Sequence, residues 1–442
     1  MLKVKEKIAY GLGDTASNII FQTVMMFLLI FYTDVVGLSP AAVGTLFLVV
    51  RVFDAITDPL MGSLADRTRT RWGQFRPYLL WLALPFGIIS VLAFTTPDLS
   101  DSNKLIFAFV TYTLLMMIYT AINIPYCALG GVLTAKPSER VSVQSYRFVF
   151  AMLGGVIVAS CTLPLVEWFG NGDTAKGYQL TMTAMSIFGV VLFILCFLGT
   201  KERISTPAQQ KTNFWVGVKL LWENDQARIL CIAGIFLLTG QVLKFTLAVY
   251  YVKYFLLRED LITAFMTTGM IGSMLGCALA QVLAKKMCKI KAYIGLQIIA
   301  AIICVLSYFI TAEQVTLAFI AFFLWKFFLD MATPLLWAKM ADAIDYGQWK
   351  TGVRITGMVY STIIFFIKLG VALGGALAGW ALAYYGYQAD VEQSEATKSG
   401  ILLSFTLYPA IGSLIVAAVM KWYILDDRKV EQIQSELHAA NT

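Results

Sequence analysis

Twelve apolar runs, each long enough to cross the hydrocarbon core of a bilayer as a helix, divide this chain of 442 residues. They fall at roughly 8–36, 40–65, 77–95, 104–133, 142–168, 178–199, 228–257, 262–284, 292–312, 315–338, 354–386 and 400–424. Backbone in lipid must satisfy its own hydrogen bonds, so runs of this length read as helices. A water-soluble fold does not fit a chain that is 59% hydrophobic and 14% charged. The expected architecture is an all-α membrane protein with twelve transmembrane helices in two six-helix halves. Residues 1–199 form the first half, 200–227 a cytoplasmic middle loop, 228–424 the second half and 425–442 a cytoplasmic tail. Within the middle loop, Trp215, Val218 and Trp222 recur at helical spacing and suggest a short interfacial helix, with a plain linker as the alternative.

Basic residues set the orientation. Of 34 Lys and Arg, 24 lie at the two termini and in the loops after spans 2, 4, 6, 8 and 10, and only 5 in the opposite loops. Both termini are therefore expected in the cytoplasm, in an inner (plasma) membrane. The net charge of +7 belongs to these helix-flanking loops, so no nucleic-acid partner is expected. The seven cysteines show neither CxxC nor zinc spacing, and the one histidine, His438, sits in the polar tail. No metal centre, cofactor or nucleophile–base set is expected, hence no enzyme. Lys3, Lys5 and Lys7 lead into a full-length span without a cleavage site, so no cleavable signal is read.

The remaining five basic residues, Arg51, Arg147, Lys244, Lys326 and Lys368, lie within spans. Span 2 carries Arg51, Asp54 and Asp58 at spacings that share one helical face. Each charge near mid-membrane costs roughly 2.5–3.5 kcal/mol on insertion scales, so groups kept there usually line a polar cavity. Arg51 neutralises only one of the two carboxylates, which marks a candidate cation site; an ion-paired packing face is the alternative. Span 1 opens YGLGDTASN, with Asp14 and Asn18 on one face, Asp14 being either a site carboxylate or a solvated cap. In span 4, Thr120 and Asn123 lie about one turn before Pro125, which removes a helix hydrogen bond. Arg147 is deep enough to need a partner. Span 7 sets Gln241 and Lys244 before Tyr250, Tyr251 and Tyr254, aromatic faces that suit a sugar ring or anchor a span end. Lys326 and Asp330 are spaced to pair with each other within span 10. Lys368 stands among phenylalanines and glycines in span 11, and span 2 offers it carboxylates. Arg67, Arg69, Arg71 and Arg76 in one cytoplasmic loop, with Asp342 and Asp345 in the loop ADAIDYGQWKTGVRITG, suggest a cytoplasmic gate of exchanging ion pairs.

Taken together, YGLGDTASN, the span-2 block RVFDAITDPLMGSLADRTRTRWGQFRP, INIPYCALGG, ADAIDYGQWKTG and the span-11 lysine resemble the glycoside–pentoside–hexuronide cation symporters. These form the melibiose permease-like branch of the major facilitator superfamily, and the likeness runs from the first span to the last. It implies that Asp54 and Asp58, with an oxygen from Thr120, bind the coupling cation, that Arg147 helps hold the sugar and that Lys368 sits near both sites. On the reading of the residues themselves, Thr57 joins the candidate cation site, and Asp14, Asn18, Asn123 and Lys244 join Arg147 and Lys368 in the candidate substrate site. Arg51, Lys326 and Asp330 remain charge-pairing residues within the membrane. Asn18 and Asn123 replace carboxylates of the permease pattern, Thr57 replaces an asparagine and Cys127 a tryptophan. These departures turn the resemblance toward xyloside- and glucuronide-type members. They also favour a proton over sodium, the only metal ion in question, at Asp54 and Asp58. A sodium symporter, a sugar uniporter and a lipid carrier on the same scaffold stay open. The partners implied are a small sugar or glycoside and the lipid bilayer; a monomer is compatible with the sequence, and the oligomeric state is not read from it.

Overall fold

A computed structural model describes residues 2–134, 137–203, 214–353, 356–389 and 391–441. Within its helices the side chains at 55–56, 59–60, 63, 66–67, 131, 137–142, 144–145, 214–218, 281, 284–285, 338, 341, 356–358, 360–361 and 438–441 lie outside that description. The first six long helices are α1 (Val4–Ile30), α2 (Pro40–Arg67), α3 (Arg76–Ala93), α4 (Asp101–Val132), α5 (Pro137–Gly170) and α6 (Thr174–Gly199). They are followed by α7 (Phe214–Glu223), α8 (Asp225–Tyr250), α9 (Ile262–Lys286), α10 (Lys289–Ser307), α11 (Val315–Met331), α12 (Thr333–Thr351), α13 (Thr356–Tyr384), α14 (Glu395–Val419) and α15 (Asp427–Asn441). Among the described residues, 11 segments are long and apolar enough to cross a membrane. α2, at 28 residues, is long enough to be a twelfth. The chain divides into two units: 1–208 with 260–267 and 382–393, and 209–259 with 268–381 and 394–442.

Polar caps start several helices where the chain turns. Ser39 accepts from the amide of Ala42 ahead of Pro40, Asp173 from Lys176, Asn224 from Ala227 and Ser394 from Thr397. Apolar side chains such as Leu84, Ile106, Leu198 and Phe309 remain exposed on the outside, as lipid-facing surface requires.

The two units repeat one packing device. In the first, Thr15 of α1 donates to the carbonyl of Phe150 on α5 at 2.8 Å, and Gly154 lies against the carbonyl of Thr15. In the second, Thr239 of α8 donates to the carbonyl of Gly370 on α13 at 3.2 Å, and Gly374 lies against the carbonyl of Thr239. A β-carbon at Gly374 would sit 2.7 Å from that oxygen, so only glycine fits there. Both α1 and α8 end in five-residue π-helical turns, Phe31–Val35 and Tyr251–Phe255. This is a repeat of structure, with little of it visible as repeated sequence.

Two segments differ from the sequence expectation, and a third agrees with it. The stretch containing ADAIDYGQWK is helix α12, not loop; Pro334 in its first turn breaks it from α11, and left-handed Gly352 ends it. Residues 427–441 of the tail form α15, with Ile433 buried and Glu436 accepting from the Trp349 indole at 2.5 Å. The middle-loop helix exists as α7 with Trp222 exposed, while the side chains of Trp215 and Val218 lie outside the described residues.

Candidate functional site

In the first unit, α1, α2, α4 and α5 bring the membrane-embedded polar residues into two adjoining clusters. The first is built on α2. Arg51 Nη1 stands 3.5 Å from Asp54 Oδ2, with Arg51 only 7% and Asp54 1% exposed. The guanidinium also faces the Phe21 ring at 5.6 Å and Met25 Sδ at 3.8 Å, both on α1. One turn on, Asp58 Oδ1 accepts from the Thr120 hydroxyl of α4 at 3.0 Å. The Thr57 hydroxyl donates to the Asp54 carbonyl at 3.1 Å, which leaves its lone pairs as the part able to meet a cation. The oxygens of Asp54, Asp58, Thr57 and Thr120 are the kind a monovalent cation or a proton takes.

The second cluster is built on the Asp14–Arg147 pair. Arg147 Nε donates to Asp14 Oδ2 at 2.9 Å, and Asp14 is 5% exposed, so it is not a solvated cap. Arg147 Nη2 donates to Cys127 Sγ at 3.3 Å, and its guanidinium lies over the Tyr126 ring at 5.4 Å. Asn18 donates to the Asp14 carbonyl at 3.0 Å, and Asn123 reaches the Tyr119 hydroxyl at 3.5 Å. Sequence reasoning missed the aromatic frame: Tyr119 stacks on Phe21 at 5.3 Å, as Tyr10 does at 4.8 Å on Tyr126, whose hydroxyl donates to the Tyr10 carbonyl. Tyr119 sits four residues before Asn123, a spacing that already put it on the polar face. Gly13 makes the approach possible, since a β-carbon there would meet Tyr126 at 2.5 Å.

The second unit holds the other candidates. Lys326 Nζ pairs with Asp330 Oδ2 at 2.6 Å, both side chains 7% exposed, and Gln241 donates to Asp330 Oδ1 at 3.1 Å. Lys244 departs from the substrate-site expectation. It is 1% exposed, donates to the Phe405 carbonyl at 3.0 Å and lies between the Phe405 and Trp325 rings, so its ammonium is enclosed by packing. Lys368 is half-buried on α13.

Of the gate residues, Arg67 lies outside the described residues. Arg69 donates to the Thr68 carbonyl at 3.1 Å and Arg71 lies over the Trp72 ring. Arg76 is used within its own unit, donating to the carbonyls of Phe197 at 2.6 Å and Trp72 at 3.1 Å. Asp345 accepts from Gln434 of α15, and Asp342 is half-buried on α12. An unforeseen anchor is Glu202, whose carboxylate accepts from the amides of Gln74, Phe75 and Arg76 at 2.7–2.9 Å and so caps α3. Glu202→Ala leaves three amides without this partner. We expect a loss of about 2 kcal/mol, read as a lower unfolding temperature in detergent, while Glu202→Gln, which keeps one acceptor, loses less.

Comparisons with known proteins bear on the family and the fold. The model of the family described as MFS/sugar transport protein matches residues 9–427. The chain is 42% identical over 439 residues to the inner membrane symporter YicJ of Escherichia coli, covering 99% of this chain and 95% of that one. It is 33% identical over 446 residues to the isoprimeverose transporter of Lactiplantibacillus pentosus, covering 99% and 91%. The crystal structure of the nucleoside transporter NupG shares the fold with a TM-score of 0.67 at 11% identity, over 94% of this chain and 99% of that chain. Helices, charge placement and relatives converge: the chain is a membrane transporter, not an enzyme, of the MFS/sugar transport family, in its glycoside–pentoside–hexuronide cation symporter branch.

Proposed function

We propose that this transporter imports a small glycoside, of the xyloside or glucuronide type, by symport with one monovalent cation through alternating access. One observation carries the reading: α2 sets two carboxylates one turn apart at membrane depth, Asp54 on the Arg51 guanidinium and Asp58 on the Thr120 hydroxyl, beside the Thr57 hydroxyl. Carboxylates kept at that depth commonly mark an ion or proton path, and a coupling cation takes these oxygens. Cation and sugar then raise each other's affinity, typically by 1–3 kcal/mol for such coupling. Arg147 and Asp14 offer a donor and an acceptor to sugar hydroxyls, with Asn18 and Asn123 beside them. Both termini face the cytoplasm in this reading, with Arg69, Arg71, Asp342 and Asp345 on the gate side. The relative named for isoprimeverose transport supports a sugar as cargo.

The cation we favour is a proton. Arg51 pairs with Asp54, Asp58 accepts from the Thr120 hydroxyl, and Asn123 supplies an amide where a sodium cage gains from a carboxylate. Asp58 is then the proton carrier. The test is uptake into proteoliposomes at clamped membrane potential with sodium replaced by choline. Uptake driven by a pH gradient alone is the expected result. Uptake that collapses without sodium, with no response to a pH gradient, makes the same four residues a sodium site.

A further inference from the structure

In the second unit a buried lysine ammonium, Lys326, sits on a buried carboxylate, Asp330. In a continuous helix the carbonyl of Asp330 would accept from the amide of residue 334, but that residue is Pro334, and the chain breaks there between α11 and α12. Without that partner the carbonyl takes the Ala332 amide of the helix cap and accepts from Cys277 Sγ of α9 at 3.2 Å. Beside it, Asp330 Oδ1 takes Gln241 of α8 and Oδ2 takes Lys326 Nζ. The ammonium is otherwise bounded by the Phe245 ring at 5.1 Å and the Trp325 ring at 5.9 Å. Lys244, on α8 three residues past Gln241, is the other charged side chain nearby, held on the Phe405 carbonyl.

This arrangement repeats the first unit. There, too, the fourth membrane helix carries a proline, Pro125 of α4, and a polar side chain just before it, Thr120, meets a side chain of the second helix, Asp58. In the second unit the fourth helix brings Asp330 and the second brings Cys277. In the second unit the first, second and fourth helices, α8, α9 and α11, meet at Asp330, as the second and fourth, α2 and α4, meet at Asp58 in the first unit. Broken helices with freed carbonyls and a carboxylate near the bilayer midplane are where secondary transporters hold small cations. The partners differ: Asp58 accepts from a hydroxyl, Thr120, whereas Asp330 is matched by the Lys326 ammonium. Stability alone does not account for the pair, because a buried ion pair of this kind is commonly no more stable than apolar residues of equal size.

We infer that the Lys326 ammonium is a tethered cation occupying the repeat-related counterpart of the cation site, so that Asp330, Gln241 and the Asp330 carbonyl form a monovalent-cation site closed to solution. Lys326 thereby restricts exchangeable cation binding to the first unit. Shortening it opens a site for an ammonium-type ion.

The test uses purified full-length Lys326→Ala, with ammonium or methylammonium chloride exchanged against choline chloride at constant ionic strength and pH. The expected result is a saturable rise in unfolding temperature with ammonium that wild type and Lys326→Ala/Asp330→Asn do not show. In proteoliposomes, sugar transport by Lys326→Ala falls at least about tenfold and recovers with ammonium. Should Lys326→Ala not be purifiable, Lys326→Ser and the amount of either variant in membranes of cells grown with and without methylammonium read the same site. No response to ammonium in any of these, or an equal response in the double variant, overturns the inference. The inference rests on the symport reading only for its transport arm. The thermal arm contains no sugar, so failure of the glycoside reading leaves it standing.

Discussion

Asp54→Asn and Asp58→Asn are expected to abolish uphill accumulation of sugar while sparing part of sugar binding and downhill exchange. The two substitutions act differently. Asp58 meets the Thr120 hydroxyl, and an amide there keeps the shape and a hydrogen bond but holds no cation. Asp58→Asn therefore folds close to normally and loses coupling outright. Asp54 is the partner of Arg51, and both are deeply buried. Asp54→Asn leaves a buried guanidinium without its counter-charge, a change that costs about 3–5 kcal/mol when a buried pair is broken. It should lower the unfolding temperature as well as uncouple transport. Arg51→Met added to Asp54→Asn removes the stranded charge and restores stability without restoring accumulation. The measurement is paired: gradient-driven uptake against equilibrium exchange in the same vesicles, with unfolding temperatures beside them. Normal uphill uptake by either single variant would sink the assignment of a cation to this face.

Much of this site was legible because the membrane simplifies the reading. A charge in an apolar run is conspicuous, and helical spacing alone put Arg51, Asp54 and Asp58 on one face and Lys326 beside Asp330. What spacing does not give is the partner on another helix. Asp14 left open a solvated cap until the 2.9 Å contact with Arg147, 133 residues away, closed that alternative. Lys244 was assigned to the substrate from its place beside Gln241 and ahead of an aromatic run, and the Phe405 carbonyl and two aromatic rings on other helices enclose it. Glu202 escaped notice because its three backbone partners lie in a loop distant in sequence and leave no side-chain pattern. The loop read after span 10 was helix because Pro334 breaks the chain and then starts a new helix, where a proline is well tolerated. Gly352 and Trp349 in that same stretch were the available signals of a cap and of a docking face.

Arg147 and Asp14 form the other pair on which a large effect is expected, and here stability and transport should separate. Arg147→Met leaves Asp14 buried and unpaired, and it also frees Cys127 and uncovers the Tyr126 face. By the same 3–5 kcal/mol argument this single change is severely destabilising, so loss of transport in Arg147→Met alone says little about the sugar. Asp14→Asn combined with Arg147→Met removes both charges together. That double variant should regain most of the stability, because no uncompensated ion remains. If the pair merely holds α1 to α5, transport returns with it. If the pair offers its donor and acceptor to sugar hydroxyls, the double variant is folded and still fails to bind sugar. We expect the second result, since Asn18 and Asn123 surround the pair with further hydrogen-bonding groups that packing alone does not require. Arg147→Lys sharpens the test: it keeps the charge but not the planar fork that reaches Asp14 and Cys127 at once. It should keep the unfolding temperature near wild type while weakening sugar binding at least about tenfold, the size of one lost charge-assisted hydrogen bond. Sugar binding by the double variant at wild-type affinity would reduce the pair to a brace between helices.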